Sequence, residues 1–181
     1  MMRTPKKSLV TPVRSAALLA AVVVGTAGCS SQKKFEVSEL CGTTVETMLV
    51  APFVPEGDTL KIDDSLSGPG QPRCQVYVDG KLSLYVRGDI VEPDFDPLKA
   101  TERSMRRLGE PSPADVGDGA VIADHGAMAV QACTHKGVKS QYVLDIDGVE
   151  NPKGTAERRK ALEKLLRAYL PVAMKAEDCR P

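Results

Sequence analysis

The start of the chain carries the pattern of an export signal, which decides the chemical environment in which the rest folds. Four cationic residues precede an apolar run over residues 16–24, and four small residues at 25–28 lead to Cys29. A basic start, a short apolar run and small residues are typical of a secretory signal peptide. A membrane-spanning helix would need about 20 apolar residues, roughly twice this run. We therefore expect residues 1–28 to be a signal peptide that is removed.

Cys29 follows the small residues directly, and this arrangement resembles the bacterial lipobox. The resemblance implies that the thiol of Cys29 carries a diacylglyceryl group, with palmitate-type acyl chains, after cleavage. Two acyl chains hold a protein durably to a bilayer, whereas one chain binds only marginally. Residues 29–35 would form a short tether, with the domain of residues 36–181 at the outer face of the cell membrane. The alternative is a plain secretory signal in which Cys29 is an incidental thiol.

Net charge narrows the range of partners once the leader is removed. The chain has 24 basic and 24 acidic residues, and the leader holds four basic residues and no acidic ones, which leaves 20 against 24, or −4. A mildly acidic surface argues against nucleic-acid binding and against polybasic attachment to anionic lipid. Removal of 28 of the 181 residues leaves 153, enough for one domain with its own core.

Four further cysteines stand at positions 41, 74, 133 and 179. An even number of cysteines in an exported domain predicts two disulfides, for which three pairings exist. None of the four belongs to a Cys-x-x-Cys pair, so a zinc ribbon or a thioredoxin-type site is not expected. We predict Cys41–Cys74 and Cys133–Cys179, which would each tie a terminal helix to a strand. Loops of this size each remove about 4 kcal/mol of unfolded-state entropy in the chain-entropy model.

Alternating apolar residues predict two β-hairpins, one turning at Asp79-Gly80 and one around residues 135–137. Shorter strands are predicted over residues 59–62 and 119–123. Runs of hairpin-linked strands between helices favour an α+β fold, with an antiparallel sheet and helices packed on one face.

Three helices are predicted from capping signals and apolar spacing. Thr43 and Glu46 form a capping-box pattern, Asp96 precedes a proline at a helix start, and the last helix begins near Thr155. An apolar stripe follows in the last helix, and the basic run 158–160 is expected mostly on its solvated side.

Together these features resemble small actinobacterial lipoproteins of unknown function that are widespread in streptomycetes. The arrangement is also similar to the extracellular sensor domain of certain mycobacterial receptor kinases, which has a two-disulfide α+β plan. The resemblance implies a binding or sensing role at the cell surface and supplies no catalytic residues. The residues that carry it are Cys29, Cys41 at a helix start, Cys74 leading a strand, Val116-Gly117-Asp118-Gly119-Ala120, Cys133 in mid-strand and Cys179 at the end of the last helix.

His125 beside Asp124 offers a base with an orienting carboxylate, with Asp118 as an alternative partner. The chain has no Gly-x-Ser-x-Gly nucleophile motif, and a turn between strands explains the Asp124-His125 pair equally well. His125 and His135 would lie roughly 30 Å apart along one strand, too far to share a metal ion. We therefore predict no catalytic residues and no metal site.

Two glycine-containing segments resemble ligand loops only in part. The segment from Asp145 to Glu150 resembles the start of a calcium loop but lacks the third oxygen ligand and the distal glutamate. Gly117-Asp118-Gly119 is too short to cradle a phosphate. Both are predicted to be turns, and no cofactor is expected.

The expected function is a lipid-anchored, noncatalytic binding or sensing module of the cell envelope. Its partners would be the membrane, through the lipid anchor, and either an envelope protein or a small ligand. Two alternatives stay open: an envelope hydrolase that uses His125, and a structural accessory protein for a membrane neighbour.

Overall fold

A computed structural model of the chain describes residues 33–181. The predicted signal peptide and the predicted lipidation at Cys29 lie outside the described residues. The described part is an α+β fold with a large antiparallel sheet, as predicted. Its strands are β1 (Glu39–Leu40), β2 (Thr43–Thr44), β3 (Leu60–Asp63), β4 (Arg73–Val78), β5 (Lys81–Val91), β6 (Ser112–Ala114), β7 (Gly119–Ile122), β8 (Ala127–His135), β9 (Val138–Asp147) and β10 (Cys179–Arg180). Its helices are α1 (Thr47–Val50), α2 (Pro97–Arg107) and α3 (Thr155–Ala176).

The large sheet has the strand order β3-β4-β5-β9-β8-β7-β6, and β10 adds a short pairing to β8. Both predicted hairpins are confirmed as β4-β5 and β8-β9. Their turns are tight because both residues of each turn adopt positive φ, which are 51° and 73° at Asp79-Gly80 and 50° and 81° at Lys136-Gly137. Such turns match the twist of the strands they join.

The helices cover both faces of this sheet. Side chains alternate between faces along a strand, so Ala127 and Ala129 of β8 point one way and Met128 and Val130 the other. The alanines belong to the core beneath α3, whereas the other two residues pack with Met105 of α2. The prediction of helices on one face thus holds for α1 and α3 but not for α2, because β8 is apolar on both sides.

The region of Cys41 differs from the predicted helix start. Cys41 and Gly42 have φ angles of 48° and 74° and form a tight turn between β1 and β2. Thr43 is therefore in a strand and cannot cap a helix, and α1 begins only after Glu46, whose side chain makes no capping bond. The turn carries Cys41 to the side of Cys74 on β4.

The two cysteine pairs are the ones predicted from the sequence. The Cα atoms of Cys41 and Cys74 lie 5.0 Å apart, and those of Cys133 and Cys179 lie 5.4 Å apart. The first pair joins the β1-β2 turn to β4, and the second joins β10 to β8.

Lys33 and Phe35, which precede the predicted domain start at residue 36, also contact the domain. The backbone N–H of Lys33 donates to the carbonyl of Gly57 at 2.9 Å, and the reverse bond is 3.1 Å long. Phe35 packs against the main core.

Candidate functional site

A groove of about 520 Å³ runs beside the C-terminal half of α3, between the segment that precedes β7 and the strand β10. Its volume lies in the range of about 300–1,000 Å³ that is usual for small-molecule sites. The floor is formed by buried side chains of Val116, Leu170, Met174 and Cys179. Arg167, Lys175 and Arg180 stand around it, and we call this set the cationic rim.

Helical spacing explains how α3 builds both the floor and the rim. Leu170 and Met174 are four residues apart, so they occupy one face of the helix and are buried. Arg167 and Lys175 are eight residues apart and flank Pro171, which also lines the groove. The apolar stripe predicted for the last helix thus supplies the floor, while the neighbouring row supplies two of the cations.

Gly117 lets the segment before β7 approach α3 closely. Its φ is +61°, and an added Cβ atom would lie 2.5 Å from the carbonyl oxygen of Val130 and 3.1 Å from Leu170 Cδ2. Asp118 then fixes the segment, since its carboxylate accepts bonds from the backbone N–H of Ala132 at 2.6 Å and from Gln131 Nε2 at 3.0 Å. The predicted glycine turn is therefore one wall of the groove.

The charge of the groove lining is positive. Among the described residues that line it, none has an acidic side chain. Arg167 pairs with Glu163 at 3.0 Å and Arg180 with Asp178 at 2.7 Å, but both carboxylates lie outside the lining. These four side chains are largely exposed, and exposed ion pairs contribute little free energy. An anion in the groove could therefore exchange with these carboxylates at small cost.

The end of α3 and β10 are held in place by His135 and the second disulfide. His135 Nδ1 lies 3.0 Å from the carbonyl oxygen of Glu177, just beyond the helix. Cys179 is bonded to Cys133, and Arg180 pairs with Thr134 across the two strands. The wall formed by β10 therefore depends on these few contacts with β8.

The geometry around His125 does not assemble the catalytic pair considered from the sequence. His125 Nδ1 lies 2.8 Å from the carbonyl oxygen of Val149. The carboxylate of Asp124 instead accepts a bond from Arg159 at 2.9 Å, which lowers the pKa of Asp124. Asp118 is engaged by Ala132 in the groove wall. Neither aspartate orients the imidazole.

Arg158 is buried, although the basic run 158–160 to which it belongs is predicted to lie mostly on the solvated side of the helix. Its guanidinium donates to the carbonyls of Asp124, Pro152 and Lys153. An arginine can satisfy several carbonyls at once because it carries five donors. Arg158 precedes Leu162 by four residues and so continues the apolar stripe, which is the signal that could have identified it.

Asp145 lies in β9 and is not part of a calcium loop. Its Oδ2 accepts a bond from Arg87 Nε at 3.0 Å across β5 and β9. Burial raises the pKa of Asp145, and the Arg87 guanidinium opposes this rise. Burial and the neighbouring Asp145 also raise the pKa of Asp147. The predicted turn at Asp147-Gly148 is not formed, because Asp147 is the last residue of β9 and Gly148 follows it with a φ of 73°.

Within residues 33–181, no group of three or more His, Cys, Asp or Glu side chains is arranged to hold a metal ion. The helices of this part of the chain include none with the length and apolar character needed to cross a bilayer. Comparison with known proteins finds no matching family model, no matching curated protein and no matching solved structure.

Proposed function

We propose that this chain is a lipid-anchored, noncatalytic binding module at the outer face of the cell membrane, and that the groove beside α3 holds its ligand. The observation that carries the proposal is the groove itself, which has a buried apolar floor and a volume of about 520 Å³. A concave apolar site with a few polar groups at its edge is the usual form of a ligand pocket.

The composition of the groove supports binding rather than catalysis. Among its described lining residues there is no serine, threonine, histidine, aspartate, glutamate or tyrosine. Its one cysteine, Cys179, is held in a disulfide and has no free thiol to act as a nucleophile. General acid–base and covalent catalysis mostly use groups of these kinds, and Lys175, the one described lining residue of another type that they use, is exposed.

The proposed location is supported by the signal-like pattern of residues 1–28 and by the resemblance to surface lipoproteins. The lipobox-like segment before Cys29 supports acylation, and a net charge of −4 for the rest of the chain gives no second, electrostatic attachment. The likeness to receptor-kinase sensor domains supports a role in binding or sensing outside the cytoplasm. A short tether would hold the groove close to the membrane surface.

Comparison of two tryptophan variants tests the groove as the ligand site. Gln131→Trp places a large side chain in the groove, whereas Gln75→Trp makes the same change at a half-buried position of β4 outside it. Each full-length protein is expressed in an actinobacterial host and purified from its membranes. Bound small molecules are then extracted and identified by mass spectrometry. We expect a compound to copurify with the wild type and with Gln75→Trp but not with Gln131→Trp. Identical extracts from all three proteins would contradict the proposal.

A further inference from the structure

We infer that the groove binds an amphipathic anion, a single alkyl chain that ends in a carboxylate. This inference rests on the proposed binding function and adds the chemical class of the ligand. It follows from the separation of the groove into an apolar floor and a cationic rim.

The floor favours an alkyl chain over a sugar or a peptide. Val116, Leu170 and Met174 are at most 4% exposed, and they present only hydrocarbon and sulfur atoms to the groove. Among the described lining residues, Gln131 has the one uncharged polar side chain, and one of its N–H groups already donates to Asp118. A hydroxyl or amide buried against such a floor would lose its hydrogen bonds to water without replacement. A chain of methylene groups has no such cost and gains from being removed from water.

The rim favours a negative head group. Arg167 and Lys175 are eight residues apart on α3, or about 12 Å at 1.5 Å per residue, and Arg180 faces them from β10. A carboxylate at this edge could accept charge-assisted hydrogen bonds from one or more of these cations. Since no side chain of the described lining residues is acidic, a cationic head group would find no acidic side chain there and would be repelled by the three cations.

A displacement assay with chains of equal length separates the head group from the tail. The mature chain with Cys29→Ala is used, so that no detergent competes for the groove, and 11-(dansylamino)undecanoic acid serves as the fluorescent probe. Dodecanoate, dodecan-1-ol and dodecyltrimethylammonium are then compared as competitors. We expect dodecanoate to displace the probe at least about tenfold better than the alcohol, and the cation to be weakest, because ionic hydrogen bonds contribute more than neutral ones.

A charge-reversed rim provides the matching protein control. Arg167→Glu, Lys175→Glu and Arg180→Glu are combined in one variant, and Lys81→Glu, Lys99→Glu and Arg103→Glu in another. Both variants undergo the same change in net charge at exposed positions, but only the first changes the groove. We expect the first variant to lose about tenfold or more in affinity for dodecanoate and little for dodecan-1-ol, and the second to behave like the wild type.

The possible results distinguish the two proposals. Equal binding of dodecanoate and dodecan-1-ol, or an unchanged dodecanoate affinity in the rim variant, would overturn the inference about the head group. In either case, loss of dodecanoate binding in Gln131→Trp would still support the groove as the site. Failure of all three competitors and of the probe to bind would overturn the amphipathic ligand, while the copurification experiment would decide separately whether the groove holds anything.

Discussion

Gly117 shows how much of the groove depends on a single backbone position. Replacement by alanine places a Cβ atom 2.5 Å from the carbonyl oxygen of Val130 and requires a side chain at φ of +61°. We expect Gly117→Ala to lower the free energy of unfolding by about 3 kcal/mol, from the left-handed conformation and the backbone clash together. Gly137 also has positive φ but has nothing within 4 Å of an added Cβ, so Gly137→Ala should cost only about 1 kcal/mol. Urea unfolding measures both, and equal losses would refute the close approach.

Two aspartates should give the stability of the protein opposite dependences on pH. Burial raises the pKa of Asp145 above 3.8, so the folded state binds a proton more readily than the unfolded state. The wild type should therefore gain stability relative to Asp145→Asn as the pH falls from 7 towards 3.8. The hydrogen bond from Arg159 lowers the pKa of Asp124, so its stabilising effect is present above 3.8 and is lost below that value.

Urea unfolding of the wild type, Asp145→Asn and Asp124→Asn between pH 3 and pH 7 measures both effects. Each variant serves as the control for the other, because both lose one carboxylate. The difference between wild type and variant should change in opposite directions with pH. Parallel pH profiles would show that the two carboxyl groups do not differ in environment.

Arg158 marks the limit of what single residues reveal in the sequence. Its position on the apolar stripe, four residues before Leu162, indicates burial. Its partners, however, are backbone carbonyls of Asp124, Pro152 and Lys153, which come from two different loops. Local spacing predicts where a side chain points, but it contains no information on which distant carbonyls will need a donor.

At the scale of secondary structure, the elements that could be predicted are those whose signals are local. Asp79-Gly80 and Lys136-Gly137 form tight turns at dipeptides that end in glycine, which adopts positive φ readily, and the side chain of Asp96 caps α2 by accepting a bond from the N–H of Lys99 at 3.0 Å. The capping box at Thr43 fails because the Cys41-Gly42 turn places Thr43 in a strand. That turn is selected by the core and by Cys74, which lies 33 residues further along the chain.

The two disulfides should differ in their effect on the groove although they resemble each other in loop length. Cys133–Cys179 attaches the β10 wall, whereas Cys41–Cys74 fixes the β1-β2 turn. Replacement of either pair by serine should lower the free energy of unfolding by about 4 kcal/mol. Loss of Cys133–Cys179 should also weaken binding of the dansyl probe several-fold, because β10 would detach. Fluorescence titration at a temperature at which both variants are folded tests this, and equal probe affinities in the two variants would contradict it.

At the scale of the whole molecule, the placement of helices and the groove both arise from packing that the sequence pattern leaves open. Helix α2 could have covered either face, and its position is decided by Met128, Val130 and Val143, which form a second, smaller core. The groove exists because α3 packs on β8 and the strands beside β8 leave a gap. Strand β7 pairs with β8 only as far as Val130, whereas β10 pairs with Thr134 and His135. The order of the predicted elements indicates the α+β class, but it does not predict the gap between β7 and β10 that forms the groove.

Attachment of the molecule to the membrane should depend on the acyl chains alone. Residues 29–181 have a net charge of −4, so under the proposed lipid anchor we expect no binding to anionic lipid without acylation. Wild-type protein in actinobacterial cells should remain with the membrane fraction in 1 M salt and leave it only in detergent, because acyl insertion is not screened by ions. Cys29→Ala, expressed behind a conventional cleavable secretory leader in place of residues 1–28, should appear in the culture medium, with the same urea midpoint as the detergent-released protein. Retention of Cys29→Ala in the membrane fraction, or release of the wild type by salt, would show that the folded domain itself holds the membrane and that Cys29 is not the anchor.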